Sequence, residues 1–227
     1  MRKSTKAGVG AAAAAAIIVS GFGIGTGVAN ASPTVHTVKA ASSSSTIPAP
    51  EAAVPAIKGG NTAVALDSGF LAALKSLGLT PGVTGSAQLN GSTVSFPITG
   101  GSVVYWSPKS HYRPYVQGIL EHDGSGLSLK AGSTTVTLSN FTINPGNSRL
   151  YGDVAVNGTV AATQAYLFDL HGQTLKPLML QGNDAILTGT TVHISPDAAA
   201  LLNKTFNTTA VKSELLVGVA TITAQIK

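Results

Sequence analysis

Apolar and polar residues alternate with a period of two along most of the chain after residue 87. Residues 87–98 alternate about Asn90-Gly91, and residues 153–162 about Asn157-Gly158. Asn-Gly between alternating runs predicts a hairpin, because both turn residues accept positive φ. Residues 134–143 (TTVTLSNFTI) read as a half-buried strand rich in β-branched side chains. Leu127 and Leu129 alternate ahead of it. Residues 166–170, 175–180, 186–194 and 215–226 supply further strands.

Two short segments break this pattern. Phe70, Leu71, Leu74 and Leu77 share one helical face, with Asp67 or Ser68 able to cap it and Gly78 and Pro81 to stop it. Ser195-Pro196-Asp197 is a helix start: a capping side chain, a proline at the first position and an acid in the first turn. Leu201, Leu202 and Phe206 give that helix an apolar side. The chain is therefore expected to be mainly β, a single antiparallel β-sandwich or partly closed barrel with two short helices at about 67–77 and 196–206. Residues 62–227 are enough to bury one core without disulfides.

The first 31 residues follow another pattern. Arg2, Lys3 and Lys6 precede an uncharged run rich in Ala, Gly and Ile that closes on Ala29-Asn30-Ala31, a small-x-small triplet. This is the layout of a cleavable secretory signal peptide. Residues 32–60 hold Ser42–Ser45 and Pro48, Pro50 and Pro55 without an apolar period, and are expected to be a Ser/Pro-rich linker. The β-rich domain is then 61–227. It is expected outside the cell, secreted or associated with the wall, with membrane contact only through an uncleaved signal segment.

That reading changes the meaning of the charge. The whole chain has 14 basic and 9 acidic residues. Without Arg2, Lys3 and Lys6 the count is 11 against 9, scattered singly, which is no footprint for nucleic acid. There is no Cys, so disulfides and thiolate chemistry are excluded.

Catalytic signals are weak. No Gly-x-Ser-x-Gly elbow is present, and Gly124-Ser125-Gly126 reads as a turn. Glu121-His122-Asp123 does not converge on one ion, since neighbours on a strand face opposite ways. His36, His111, His171 and His193 are scattered in sequence, so no metal site is expected. The chain is therefore expected not to be an enzyme. The richest binding feature is residues 105–115, YWSPKSHYRPY. It contains the one Trp and three of the five Tyr, with Lys109, His111 and Arg113 between them, on a proline-pinned loop. Tyr105, Trp106, His111, Tyr112 and Arg113 are its candidate ligand-binding residues. A lid that merely covers the end of a barrel explains the same rings.

The run Gly118-Ile119-Leu120-Glu121-His122-Asp123-Gly124, continued by Leu127-Ser128-Leu129, resembles the His-Asp-Gly segment of HtaA domains, which are secreted or surface haem-binding modules of Gram-positive bacteria. The resemblance spans about residues 64–227. It implies the fold, an extracellular setting and haem as a candidate cofactor, with His122 at the family's assisting His. The family's haem-ligating Tyr of the opening segment has no counterpart: residues 70–77 contain no Tyr, and Phe206 stands where a second Tyr is frequent.

Two principal expectations follow. The first is a non-enzymatic secreted β domain with a structural or interaction role and no cofactor, its partner the cell wall or another surface protein. The second is a module for haem or another flat ligand, using His122 and the 105–115 loop. A hydrolase acting on wall glycans is a distant third.

Overall fold

Tight turns organise the sheet. Asn157 (φ 50°) and Gly158 (φ 79°) form the expected two-residue turn between paired Val156 and Thr159. The earlier hairpin turns one residue later than its Asn-Gly suggests, on Gly91 and Ser92, with Asn90 paired to Thr93. The computed structural model describes residues 47–227; the expected signal segment and linker residues 32–46 lie outside the described residues.

In chain order the elements are β1 (Ala52–Val54), β2 (Gly59–Leu66), α1 (Ser68–Ser76), β3 (Thr80–Gly85), β4 (Gln88–Asn90), β5 (Thr93–Pro97), β6 (Gly100–Tyr105), a 3-10 turn (Pro108–Ser110), β7 (Val116–Ala131), β8 (Thr134–Asn144), β9 (Arg149–Val156), β10 (Thr159–His171), β11 (Met179–Gln181), β12 (Asp184–Ile194), α2 (Pro196–Thr205) and β13 (Leu216–Gln225). All strands join one antiparallel sheet in the order β1-β6-β7-β8-β9-β10-β12-β13-β2-β5-β4, with β3 beside β7 and β11 beside β12. The sheet curls into a half-barrel, the second of the two expected architectures.

Both helices form as the sequence indicates. The Asp67 side chain accepts from Phe70 N at 3.0 Å and Ser195 Oγ from Ala198 N at 3.0 Å, each satisfying an otherwise orphaned first-turn donor. Three expectations need correction. The linker was expected to run to residue 60, yet β1 and the start of β2 lie inside it, because backbone pairing to β6 and β13 and burial of Ile57 supply the order. Residues 175–178 are loop, and only Met179–Gln181 pair with β12. Gly124-Ser125-Gly126 is no turn: β7 runs through it as a bulge, with its pairing to β8 shifted between His122 and Gly126.

That bulge is one of a row. The β8–β9 register shifts between Ser139 and Thr142, where Asn140 has φ 52°, and the β9–β10 register shifts between Ala162 and Ala165, where Gln164 has φ 47°. Side chains fasten the row. Gly124 N donates to Asn140 Oδ1, Asn140 Nδ2 to Asp153 Oδ2, and Gln164 N to Asp153 Oδ1, each at 2.9 Å. A bulge bends its strand and increases local twist, so an aligned row across four strands bends the whole sheet. Close approach at the bend also demands a residue without Cβ: one on Gly126 would lie 2.3 Å from Leu138 O.

Val136, Val154 and Leu167 are at most 1% exposed on the concave side of the bend. The main core joins them to α2 through Ala198 and Leu202, while Ile57, Ile98, Leu120, Ile143 and Ala224 form a smaller core toward the other end. Among the described residues, no helix is long and apolar enough to cross a membrane.

Asp153→Ala removes two of the three acceptors that fasten the row. We expect a loss of about 2 kcal/mol in urea denaturation, from two lost bonds of which one involves a backbone donor. A change below about 0.5 kcal/mol, the range of an ordinary surface substitution, contradicts this role.

Candidate functional site

Among the described residues, three neighbouring cavities lie on the concave side of the curl. At the helix end, a cavity of about 230 Å³ lies among α1, α2 and the strands, walled by residues such as Phe70, Leu74, Leu127, Leu201 and Val211. In the middle, a cavity of about 60 Å³ is lined by His122, Thr62, Phe96 and Phe141. At the opposite end a bowl of about 700 Å³ opens among β1, β6, β12, β13 and the loop after β10. The middle cavity shares Leu66 and Val94 with the helix end and Ile143, Leu170, Thr190 and Ile222 with the bowl.

His122 is 1% exposed. Its Nε2 lies 2.8 Å from Thr62 Oγ1 and its Nδ1 3.3 Å from Phe141 O. Thr62 is on β2, across the interior along the path β7-β8-β9-β10-β12-β13-β2, so this bond ties opposite walls. The tautomer follows from the partners: the Phe141 carbonyl can only accept, so Nδ1 carries the proton and Nε2 accepts from the threonine hydroxyl. Burial drives the His122 pKa down to about 4, against weaker opposing effects from the Phe141 carbonyl and Asp123. His122 is therefore a neutral strut with both nitrogens engaged.

The loop residues separate into two groups. Tyr105, Arg113 and Tyr115 line the bowl. The rings of Tyr105 and Tyr115 meet edge-to-face at 6.3 Å, and the Arg113 guanidinium lies 5.3 Å from the Tyr115 ring centre. Burial, followed by the charge of Glu51, raises the Tyr105 pKa. Trp106, His111 and Tyr112 do not line the bowl. Trp106 is buried, donates Nε1–H to Pro48 O at 2.8 Å and packs on Tyr112 at 4.8 Å, so this part of the loop pins the chain entering β1. His111 is exposed, with φ 57°, at the end of the 3-10 turn. His122 and the loop thus face different cavities.

A family-type haem site is not supported at the helix end. Its lining contains no Tyr, His or Met, and its polar side chains are only Ser92 and Ser128. The middle cavity is far below the roughly 300–1,000 Å³ of drug-sized ligand sites, whereas the bowl is within that range. The apolar walls from β12 and β13 were missed in sequence, because only the curl brings them opposite β6; Tyr115 lies in the 105–115 segment but is not among its candidate ligand-binding residues.

With 11% identity, the structure aligns to the C-terminal domain of HtaA from Corynebacterium glutamicum at a TM-score of 0.52, covering 76% of this chain and 99% of that one. The fold is HtaA-domain-like. The haem-binding protein HtaB of the same organism aligns at 0.47 with 13% identity, covering 77% of this chain and 96% of that one. The N-terminal domain of HtaA aligns at 0.47 with 11% identity, covering 75% and 98%. No protein-family model matches the sequence, and no curated protein does so. In this HtaA-like domain the segment containing His122 lies at the bulge of β7, where the strand bends inward.

The low pKa of His122 gives a signed prediction. Above pH 6.5 the imidazole is neutral in both folded and unfolded chains, so it adds no pH dependence. Between about 6.5 and 4 only the unfolded chain takes the proton, so stability falls as pH falls. From pH 7.5 to 4.5 this one group costs about 2 to 3 kcal/mol. His122→Gln should be less stable at pH 7.5 and lose less on acidification by about that amount. Equal acid losses in both proteins contradict the assignment.

Proposed function

We propose that this HtaA-like domain is a non-enzymatic, extracytoplasmic binding module whose site is the 700 Å³ bowl, and that haem is the ligand it takes. The carrying observation is the chemistry of the bowl: broad aliphatic walls with the two phenols and the guanidinium of Tyr105, Tyr115 and Arg113 together at one side. A flat apolar ligand with an anionic edge matches this arrangement. The alignment to HtaA supports the fold alone; the choice of haem rests on the bowl and on the resemblance carried by residues 118–129.

Haem would bring an iron that a tyrosine oxygen ligates and carboxylates that a guanidinium binds strongly. Tyr105 or Tyr115 is the candidate oxygen donor and Arg113 the carboxylate partner. The apolar walls would hold the ring and exclude water. His122 would act only through the shape of the interior, since both its nitrogens are engaged. The structural reading preferred from sequence gives way here because it does not explain an open apolar bowl of this size. In this proposal residues 1–31 act as a signal segment, and the module works beyond the membrane, facing the wall or another surface protein.

Titration with haemin and, separately, with iron-free protoporphyrin IX tests it. We expect saturable binding of both. Combined Tyr105→Phe and Tyr115→Phe should change the haemin Soret band and leave protoporphyrin affinity nearly unchanged. Arg113→Gln should weaken both ligands by about tenfold, the value of one charge-assisted bond. Absence of saturable binding of either porphyrin overturns the proposal.

A further inference from the structure

Two histidines that look unrelated in sequence meet on the convex face. In the β10–β12 register Asp169 pairs with His193 and His171 with Thr191, so His171 and His193 are diagonal neighbours on one face. Leu170, between Asp169 and His171, lines the bowl, which puts the histidines on the opposite, outer side. Their rings stack at 4.3 Å with 22° between planes. His171 and His193, 22 residues apart in the chain, meet because the end of β12 pairs antiparallel with the end of β10 after an intervening loop and β11.

A carboxylate completes the group. Glu214 Oε2 lies 3.3 Å from His171 Nε2 and 3.9 Å from His193 Nδ1. Its backbone is fixed to the end of β12: Glu214 N donates to Ile194 O at 2.8 Å, and Ile194 N donates to Leu215 O at 3.0 Å. One nitrogen from each ring and a carboxylate oxygen lie within 4.8 Å of one another.

We infer that His171, His193 and Glu214 form a divalent transition-metal site, with zinc the ion that best suits it. Two imidazoles and one carboxylate are an established zinc donor set, and tetrahedral geometry at about 2.0–2.1 Å per bond needs donors about 3.4 Å apart. The group is already near that spacing, and small side-chain rotations close it. His193 has supporting partners at both nitrogens: the Glu214 carbonyl is 3.0 Å from Nδ1 and the Thr191 hydroxyl 3.0 Å from Nε2. Nδ1 is the nitrogen facing Glu214 Oε2 at 3.9 Å; to take the metal it would exchange its contact with the Glu214 carbonyl for the ion, and the Thr191 hydroxyl at Nε2 would then orient the ring. The His171 and Glu214 side chains are 38% and 54% exposed, which gives an ion access and leaves its fourth position to water. Bound zinc would clip β10, β12 and the connection entering β13 together. The site is on the opposite face of the sheet from the bowl and does not depend on the haem proposal.

Zinc alone, titrated calorimetrically into the full untagged chain, tests the inference. We expect one saturable site per chain and a rise in Tm of roughly 5 °C at a hundredfold excess over Kd. His171→Ala and His193→Ala should each weaken binding about tenfold or more, Glu214→Gln should weaken it less, and His111→Ala should leave it unchanged. All of these side chains are at least partly exposed, so the variants should fold, which circular dichroism checks. No saturable binding, binding that survives His171→Ala with His193→Ala, or equal weakening by His111→Ala overturns the site.

Discussion

The interior of this domain depends on the row of bulges fastened by Asp153. Without them a sheet of this length would twist openly and leave one face wet. With them, β7 to β10 bend together, β2 comes opposite β7, and the concave face becomes an interior. The His122–Thr62 bond is possible only after that bend, and it then holds the walls at a fixed separation. The chain makes the interior apolar at the helix end, fills its middle, and leaves the far end open.

This division explains why the proposed site is not where the resemblance puts it. The helix end has a cavity, but its walls offer an iron no donor. The His of the His-Asp-Gly segment is present but committed to structure: a buried, neutral imidazole with two partners has neither a free lone pair nor access. The polar handles that remain are at the bowl, where the 105–115 loop returns toward β7. A fold can keep its architecture while its chemistry moves to another part of the same surface.

Local signals were legible in the sequence. Asn157-Gly158, the Asp67 and Ser195 caps and the glycine after α1 are each decided by a few neighbouring residues, and the structure agrees with them. Long-range pairing was not. Strand alternation at residues 134–143 hides the bulge at Asn140, because a polar residue in a strand does not announce left-handed backbone. The sequence predicts no strand before residue 87, so Thr62 carries no signal there, although period two with Val64 on β2 points it inward. The His171–His193 pair needs the β10–β12 register, which no local pattern encodes. The 105–115 loop stands out in sequence for its rings and cations, yet its residues divide between a strut at Trp106 and a rim at Tyr105 and Arg113, a division set by which way the chain leaves β6.

The central claim is that ligand enters the bowl and not the helix end. Methyl NMR with iron-free protoporphyrin IX tests it most directly, since the two ends carry separate reporters. Val103, Leu120, Ile222 and Ile226 report on the bowl, and Leu71, Leu74 and Leu201 on the helix cavity. The account predicts saturable shifts for the first set and little change in the second. Shifts centred on the helix methyls, or none at either end, would contradict it.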